Sequence, residues 1–236
     1  MSSRFLIISI IVVALGTAAL YIFVRQRPTG LRAARLFAWL RAPDHQSAMV
    51  IAAGSRCGNA PFVFPTTGVV GFMWGDNFRL GHRHQGVDIF AGTEVNVTAV
   101  TTVYPGFLTR LPDWKSTVIV RVPDDPLQPG RQIWVYYTHM ADPNGASFVS
   151  TEFPPGTYEK EVGAGTFLGR QGDYSGDPNN PVGVHLHVSI VKDDGGQFMN
   201  ELEINNTYDP SPYFGLPLNA RQNLDKIPVC TQSGAP

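Results

Sequence analysis

After residue 60, apolar and polar positions alternate with a period of two over several short runs, and turn residues separate the runs. TVIVRV (117–122) is followed by PDDPLQPG; RQIWVYYTHM (131–140) carries His139 near its end. VNVTAVTTVYPG (95–106) closes on a turn, and VHLHVSIV (184–191) is the last strong run. A strand points successive side chains to opposite faces, so each of these runs predicts a strand with two distinct faces. Residues 142–165 are rich in proline and glycine and predict a long loop excursion. No amphipathic helix of three turns is visible beyond residue 60. The expected fold class is mainly β: an antiparallel sheet domain with long loops. The composition agrees, with 24 glycines, 19 prolines and only 16% charged residues.

The N-terminal part follows another pattern. FLIISIIVVALGTAALYIFV, residues 5–24, is uncharged throughout and is long enough as a helix to cross a bilayer's hydrocarbon core. An uncleaved single-pass anchor is preferred to a secretory signal, because the apolar run is long and no A-x-A-like site closes it. The expected organisation is a short tail (1–4), a transmembrane helix (5–24), a juxtamembrane linker (25–60), a folded domain (61–215) and a C-terminal tail (216–236). Within the linker, LRAARLFAWLRA (31–42) reads as a short amphipathic helix at the membrane interface or as a spacer. The folded part, about 180 residues, fits one compact unit.

Charge and cysteine content narrow the picture. Residues 1–56 hold seven arginines and one acid, Asp44. The totals of 18 basic and 19 acidic residues then leave 11 basic and 18 acidic ones in 57–236, a net of −7. An acidic folded part argues against nucleic acid as a partner. Arg25, Arg27, Arg32 and Arg35 follow the apolar segment, so the positive-inside rule alone would keep the domain cytoplasmic. The two cysteines, Cys57 and Cys230, flank nearly the whole folded region. In an oxidising compartment they can pair and tie its ends together, stabilising by about 2–4 kcal/mol. The cysteines favour the extracytoplasmic side, and that placement is the expectation.

The candidate chemistry begins at GVHLHVSI (183–190). Read as a strand, it puts Val184, Leu186, Val188 and Ile190 on one face and His185, His187 and Ser189 on the other. In GHRHQGVDIF (81–90), His84 and Asp88 are four apart, and Gly86 clears space between them. His84, Asp88 and one histidine of the H-L-H pair offer two nitrogens and a carboxylate oxygen. Three protein ligands with a fourth place left for water is how catalytic zinc is held. Zinc brings its water's pKa from 15.7 to about 7. His139 and the other member of the pair remain for proton transfer and oxyanion stabilisation. His82 competes with His84 for the first ligand position; His45, in the linker, has no assigned role.

In these segments the chain resembles the lysostaphin-type, or LytM-like, zinc metallopeptidases. The resemblance rests on His84-Gln-Gly-Val-Asp88, the Tyr137-Thr-His139 step and His185-Leu-His187, over roughly residues 62–214. HQGVDIFAGTEVNVTAV and VGAGTFLGRQG are similar to the family's flanking turn-and-strand segments. The resemblance implies His84, Asp88 and His187 as ligands of one zinc ion per chain. It implies His185 as general base or acid and His139 as the group that binds and stabilises the oxyanion. It further implies a groove over the sheet and, as substrate, the stem or cross-bridge peptides of bacterial peptidoglycan, cut by an endopeptidase. The chain departs from the family in GDYSGDPNNPVG (172–183), longer and more acidic than the usual loop before H-x-H and expected to form a groove wall. A non-catalytic, zinc-retaining module that binds cell wall or activates another hydrolase is the alternative, and an assembly protein with an inert zinc site a third. Oligomeric state is left open.

Overall fold

The chain is described by a computed structural model over residue 16 and residues 30–42, 47–77 and 81–230. The elements in chain order are α1 (Gly30–Arg41), a 3-10 turn (Ser47–Met49), β1 (Val69–Phe72), β2 (Val87–Phe90), β3 (Ala99–Thr101) and β4 (Gly106–Thr109). They continue with β5 (Val118–Val122), β6 (Ile133–Thr138), β7 (Lys160–Val162), β8 (Phe167–Arg170), β9 (Leu186–Asp194) and β10 (Gln197–Phe198). A 3-10 turn (Ile204–Asn206), β11 (Thr207–Tyr208) and α2 (Ser211–Phe214) complete the order. The main sheet runs β1-β2-β9-β6-β5-β4-β7, with β10 and β11 also on β9. Every named strand pair is antiparallel. The excursion at 142–165 reaches into β7, and β8 follows it to pair with β3 as a second, two-stranded sheet.

β9 is the axis of the molecule, with β6 on one side and β2 and β11 on the other. Its pairing fixes two faces. Val188 lies opposite Val87 and Tyr137, and Leu186 opposite Ile89. These side chains join Val118, Val120 and Ile190 in the principal core. His187 lies opposite Asp88 on one side and Thr138 on the other, so the second face carries the polar row. Farther along that second face, Ile119, Trp134 and Val191 form a smaller apolar cluster against Tyr136 and Phe198.

The membrane placement expected for this chain is corrected. Among the described residues no helix is long and apolar enough to cross a membrane. Residues 5–24, on which the single-pass anchor and the cell-membrane localisation rested, lie outside the described residues except for Gly16. α1, at 12 residues, spans only about 18 Å against about 30 Å of hydrocarbon. Its buried face, Arg32, Leu36 and Trp39, is turned to the protein. Leu36 and Trp39 pack with Val69, Phe90 and Ile227. Gly71 makes this possible: a Cβ there would sit 2.5 Å from Leu36 Cδ2. Cys57 and Cys230 are joined as a disulfide, with Cα atoms 5.3 Å apart, and fasten the C-terminal segment to the start of the domain.

Candidate metal centre

His84, Asp88 and His187 reach one point from two directions. Asp88 and His187 are cross-strand partners in β2 and β9, where side chains directly opposite stand about 5 Å apart at Cβ. His84 precedes β2 in a loop. Its backbone N–H donates to Asp76 O at 2.8 Å and its carbonyl accepts from Gly75 N at 2.8 Å. Close approach of this segment to β9 requires Gly86, since a Cβ there would lie 2.3 Å from Val188 O and 2.9 Å from His187 Nε2.

The three ligand atoms form a small triangle: His84 Nε2 to Asp88 Oδ1 is 3.0 Å, His187 Nδ1 to Asp88 Oδ1 2.8 Å, and His84 Nε2 to His187 Nδ1 3.0 Å. All three residues are buried. Tetrahedral zinc with N and O ligands at about 2.0–2.2 Å has ligand–ligand edges of about 3.3 Å. The observed edges are a few tenths shorter, the contraction of atoms that hydrogen-bond one another, so small shifts outward fit the ion. The donor set also fits. His84 Nδ1 donates to Met73 O at 3.0 Å, which leaves Nε2 as the coordinating nitrogen, the usual outer arrangement of a metal-binding histidine.

Electrostatics favour a cation at this point. Burial pushes the Asp88 carboxyl up, but the charges of His84 and His185 and hydrogen bonds from His187 and His84 hold it well below the ordinary range. Burial would lower the His84 imidazole; the Asp88 carboxylate and the Met73 carbonyl outweigh it and raise the group overall. A buried carboxylate that draws positive charge from its neighbours is a site at which a metal and protons compete.

His185 and His139 stand beside the triangle on the same groove, which has a volume of about 760 Å³. His185 Nδ1 donates to Gly183 O at 2.9 Å, and its Nε2 lies 3.6 Å from Asp88 Oδ1. His139 Nδ1 donates to Tyr174 O at 2.7 Å. In both rings the proton is thus on Nδ1 and Nε2 carries a lone pair. The two ring centroids are 4.6 Å apart. Burial lowers the His185 imidazole. Burial, then the neighbouring His185 and His187, bring the His139 imidazole down to about 3, so the ring is neutral.

Strand alternation alone would send His139 the wrong way. Thr138 faces the groove opposite His187, and the next residue of a continuing strand would point into the core beside Tyr137's face. Instead His139 has φ +73°, a left-handed conformation, and the chain turns out of β6. A non-glycine residue held there is strained, and such strain concentrates at functional sites. Gly172 permits the turn: a Cβ on it would lie 2.1 Å from Ala141 O and 2.6 Å from His139 O. The tyrosine of the Tyr-x-His step, Tyr137, is a core residue whose Oη accepts from Val103 N at 3.0 Å.

His82 lines the groove wall but is not part of the triangle. His45 lies outside the described residues. Sequence reasoning missed Tyr136 and Glu201, which also line the groove. Tyr136 is signalled by its even spacing from Thr138 on the groove face; burial foremost pushes its phenol up to about 12. Glu201 sits in an irregular segment and carries no pattern that would reveal it. Among the described residues, no lysine or arginine lines the groove.

No family model and no curated protein matches the sequence. Among solved structures the chain is similar to the catalytic domain of the antimicrobial peptidase lysostaphin from Staphylococcus simulans: 17% identity, 62% of this chain and 91% of that one, TM-score 0.42. It is similar to a variant catalytic domain of the prophage-encoded M23 protein EnpA from Enterococcus faecalis: 21% identity, 63% and 95% covered, TM-score 0.39. It is also similar to Helicobacter pylori Csd3, at 18% identity, 62% and 32% covered, TM-score 0.35.

Proposed function

We propose that the protein is a zinc-dependent endopeptidase acting on the stem or cross-bridge peptides of peptidoglycan. One observation carries the reading: two imidazole nitrogens and a carboxylate oxygen lie within 3.0 Å of one another, buried at a groove that His139 and His185 also line. His84 Nε2, Asp88 Oδ1 and His187 Nδ1 would hold the zinc, which supplies a water of lowered pKa and polarises the scissile carbonyl.

The chain's own residues do the rest. His185 Nε2, with its lone pair free, takes the proton of the attacking water and passes it to the leaving nitrogen. His139 meets the developing oxyanion. Its Nδ1 is committed to Tyr174 O, so Nε2 is the atom left for the reacting groups, and it can donate to the oxyanion only by taking one of the two protons of the attacking water, the other passing through His185 to the leaving nitrogen. Tyr174 O and Gly183 O hold the two rings in the tautomer this requires. The substrate class itself rests on the motif resemblance.

Zinc content and digestion of purified peptidoglycan test the reading. His84→Ala is expected to lose both metal and activity, whereas His185→Ala keeps metal and loses activity. A zinc-loaded protein that releases no fragment from any wall preparation would favour the non-catalytic module or the assembly protein with an inert zinc site.

A further inference from the structure

Outside the groove, the described residue pairs include one ion pair in which both side chains are fully buried: Arg32 of α1 with Asp76, each 0% exposed. Two charges taken that far from water must be held by strong geometry. Arg32 is held well. Its Nε donates to Gly71 O at 3.0 Å, and Nη1 donates to Asn223 O at 2.9 Å and Leu224 O at 3.2 Å, while Nη2 donates to Asp76 Oδ2. One side chain therefore joins α1, β1, the C-terminal segment and the turn at 73–76.

That turn is what holds His84. Asp76 Oδ2 also accepts from Met73 N at 2.7 Å, which closes the turn. Met73 O accepts from His84 Nδ1 at 3.0 Å, and Asp76 O accepts from the His84 backbone N–H at 2.8 Å. Both the ring and the backbone of His84 are thus fixed by the two ends of a turn whose closing carboxylate is neutralised by Arg32. Asp76 Oδ1 is buried with no hydrogen-bond partner among the described residues, and Oδ2 takes both Arg32 and the Met73 N–H.

A second line runs from the same helix to the other side of the groove. Leu36, one turn after Arg32, packs against Phe90, and the Phe90 ring stacks on the His185 imidazole with centroids 4.8 Å apart and planes 22° from parallel. The helix supports one corner of the metal triangle through charge and hydrogen bonds, and the adjacent imidazole through packing.

We propose that Arg32 is a positioning residue for the metal centre: through Asp76 and the 73–76 turn it fixes His84 Nε2, which makes α1 a part of the site and not a spacer before it. The proposal rests on the metal-binding reading of the triangle but not on hydrolysis. Outer residues that orient a metal-binding histidine typically contribute about 10–100-fold to metal affinity.

The test measures zinc affinity of the full chain by competition with a chelator, beside thermal stability. Arg32→Met and Asp76→Asn are each expected to weaken zinc about 10–100-fold. Together they should weaken it little more than either alone, since both break one connection. Leu108→Ala, in β4 of the principal core, is the control for lost stability alone; it is expected to lower the melting temperature and leave zinc affinity within about twofold. Should Arg32→Met fail to fold, Arg32→Lys, which keeps the charge but loses the fork, supplies the same reading with a smaller loss. Affinity unchanged in Arg32→Lys and Asp76→Asn, or lowered equally by Leu108→Ala, overturns the proposal. Wild-type protein that binds zinc and cleaves nothing leaves it standing and overturns only the peptidase reading; protein that binds no zinc overturns both.

Discussion

On one face of β9, Leu186, Val188 and Ile190 are almost completely withdrawn from water; on the other, His187 and Ser189 are withdrawn nearly as far. The same strand buries both sets, but the physical consequences differ. The apolar face gives up only unfavourable hydration, and every methylene buried there stabilises by about 0.8 kcal/mol. The polar face gives up favourable hydration, which must be replaced by partners. His187 finds its replacement in Asp88 and His84, and Asp88 in the imidazoles of His84 and His187. Among the described residues, no lysine or arginine joins that cluster, and no second carboxylate hydrogen-bonds the three atoms. Burial on the two faces is similar, so burial does not reveal function. What sets the polar face apart is three atoms that could hold a metal ion, within 3.0 Å of one another.

The largest predicted effects separate the two faces by what they disturb. On the polar face, His185→Ala is expected to reduce turnover about 10²–10⁴-fold, the usual contribution of a general acid–base group, with zinc content and melting temperature nearly unchanged. On the apolar face, Leu186→Ala is expected to destabilise by about 2–5 kcal/mol, read by denaturant unfolding, while activity per folded molecule persists. An activity loss in Leu186→Ala as deep as in His185→Ala, at full folding, would erase the distinction. Metal removal sharpens it further. Zinc present at 100 times its dissociation constant stabilises the folded state by about 2.7 kcal/mol. Chelation should therefore lower the melting temperature of the wild type and leave that of His187→Ala almost where it stood. Reduction of the Cys57–Cys230 bond acts on neither face. It is expected to cost about 2–4 kcal/mol of stability with zinc affinity unchanged, checked by unfolding with and without a phosphine reductant.

The sequence displayed the two faces of β9 plainly, because a strand's period of two puts Val188 and His187 on opposite sides wherever the strand lies. It displayed His84 and Asp88 less directly. Only Asp88 is in a strand; His84 arrives from a loop whose shape depends on Asp76 and Met73, and no local pattern encodes that. His139 was visible as a residue but not as a direction, since alternation points it into the core and a left-handed turn points it out. The Arg32–Asp76 pair was invisible: the two are 44 positions apart, and an arginine following an apolar segment looks like a topology signal. The same feature misled the reading of α1, whose amphipathic stripe fits a membrane interface and the flank of β1 equally well until Gly71 is seen to admit Leu36. Periodic elements are legible because geometry acts on neighbours; the clamp is not, because its partners meet only after the chain has folded.

The smallest predicted effect sharpens the comparison most. Ser189 shares the polar face with His187, two positions along β9, and is 0% exposed, yet its Oγ has no hydrogen-bond partner among the described residues. It faces Tyr136 across the β6–β9 pair and stands against Gly86 of the metal loop, where a glycine Cβ would lie 2.9 Å from Ser189 Cβ. If polarity on this face were valuable in itself, Ser189→Ala would damage the site. If only the converging lone pairs matter, the substitution removes an unsatisfied hydroxyl, keeps the small volume that the close approach of Gly86 demands, and costs nothing. The second outcome is expected: stability within about 0.5 kcal/mol of the wild type or slightly above it, zinc affinity and turnover within about twofold. Unfolding and chelator competition on this single variant decide between the two. A loss of zinc affinity tenfold or greater would show that the hydroxyl belongs to the centre and that the line between the two faces of β9 has been drawn in the wrong place.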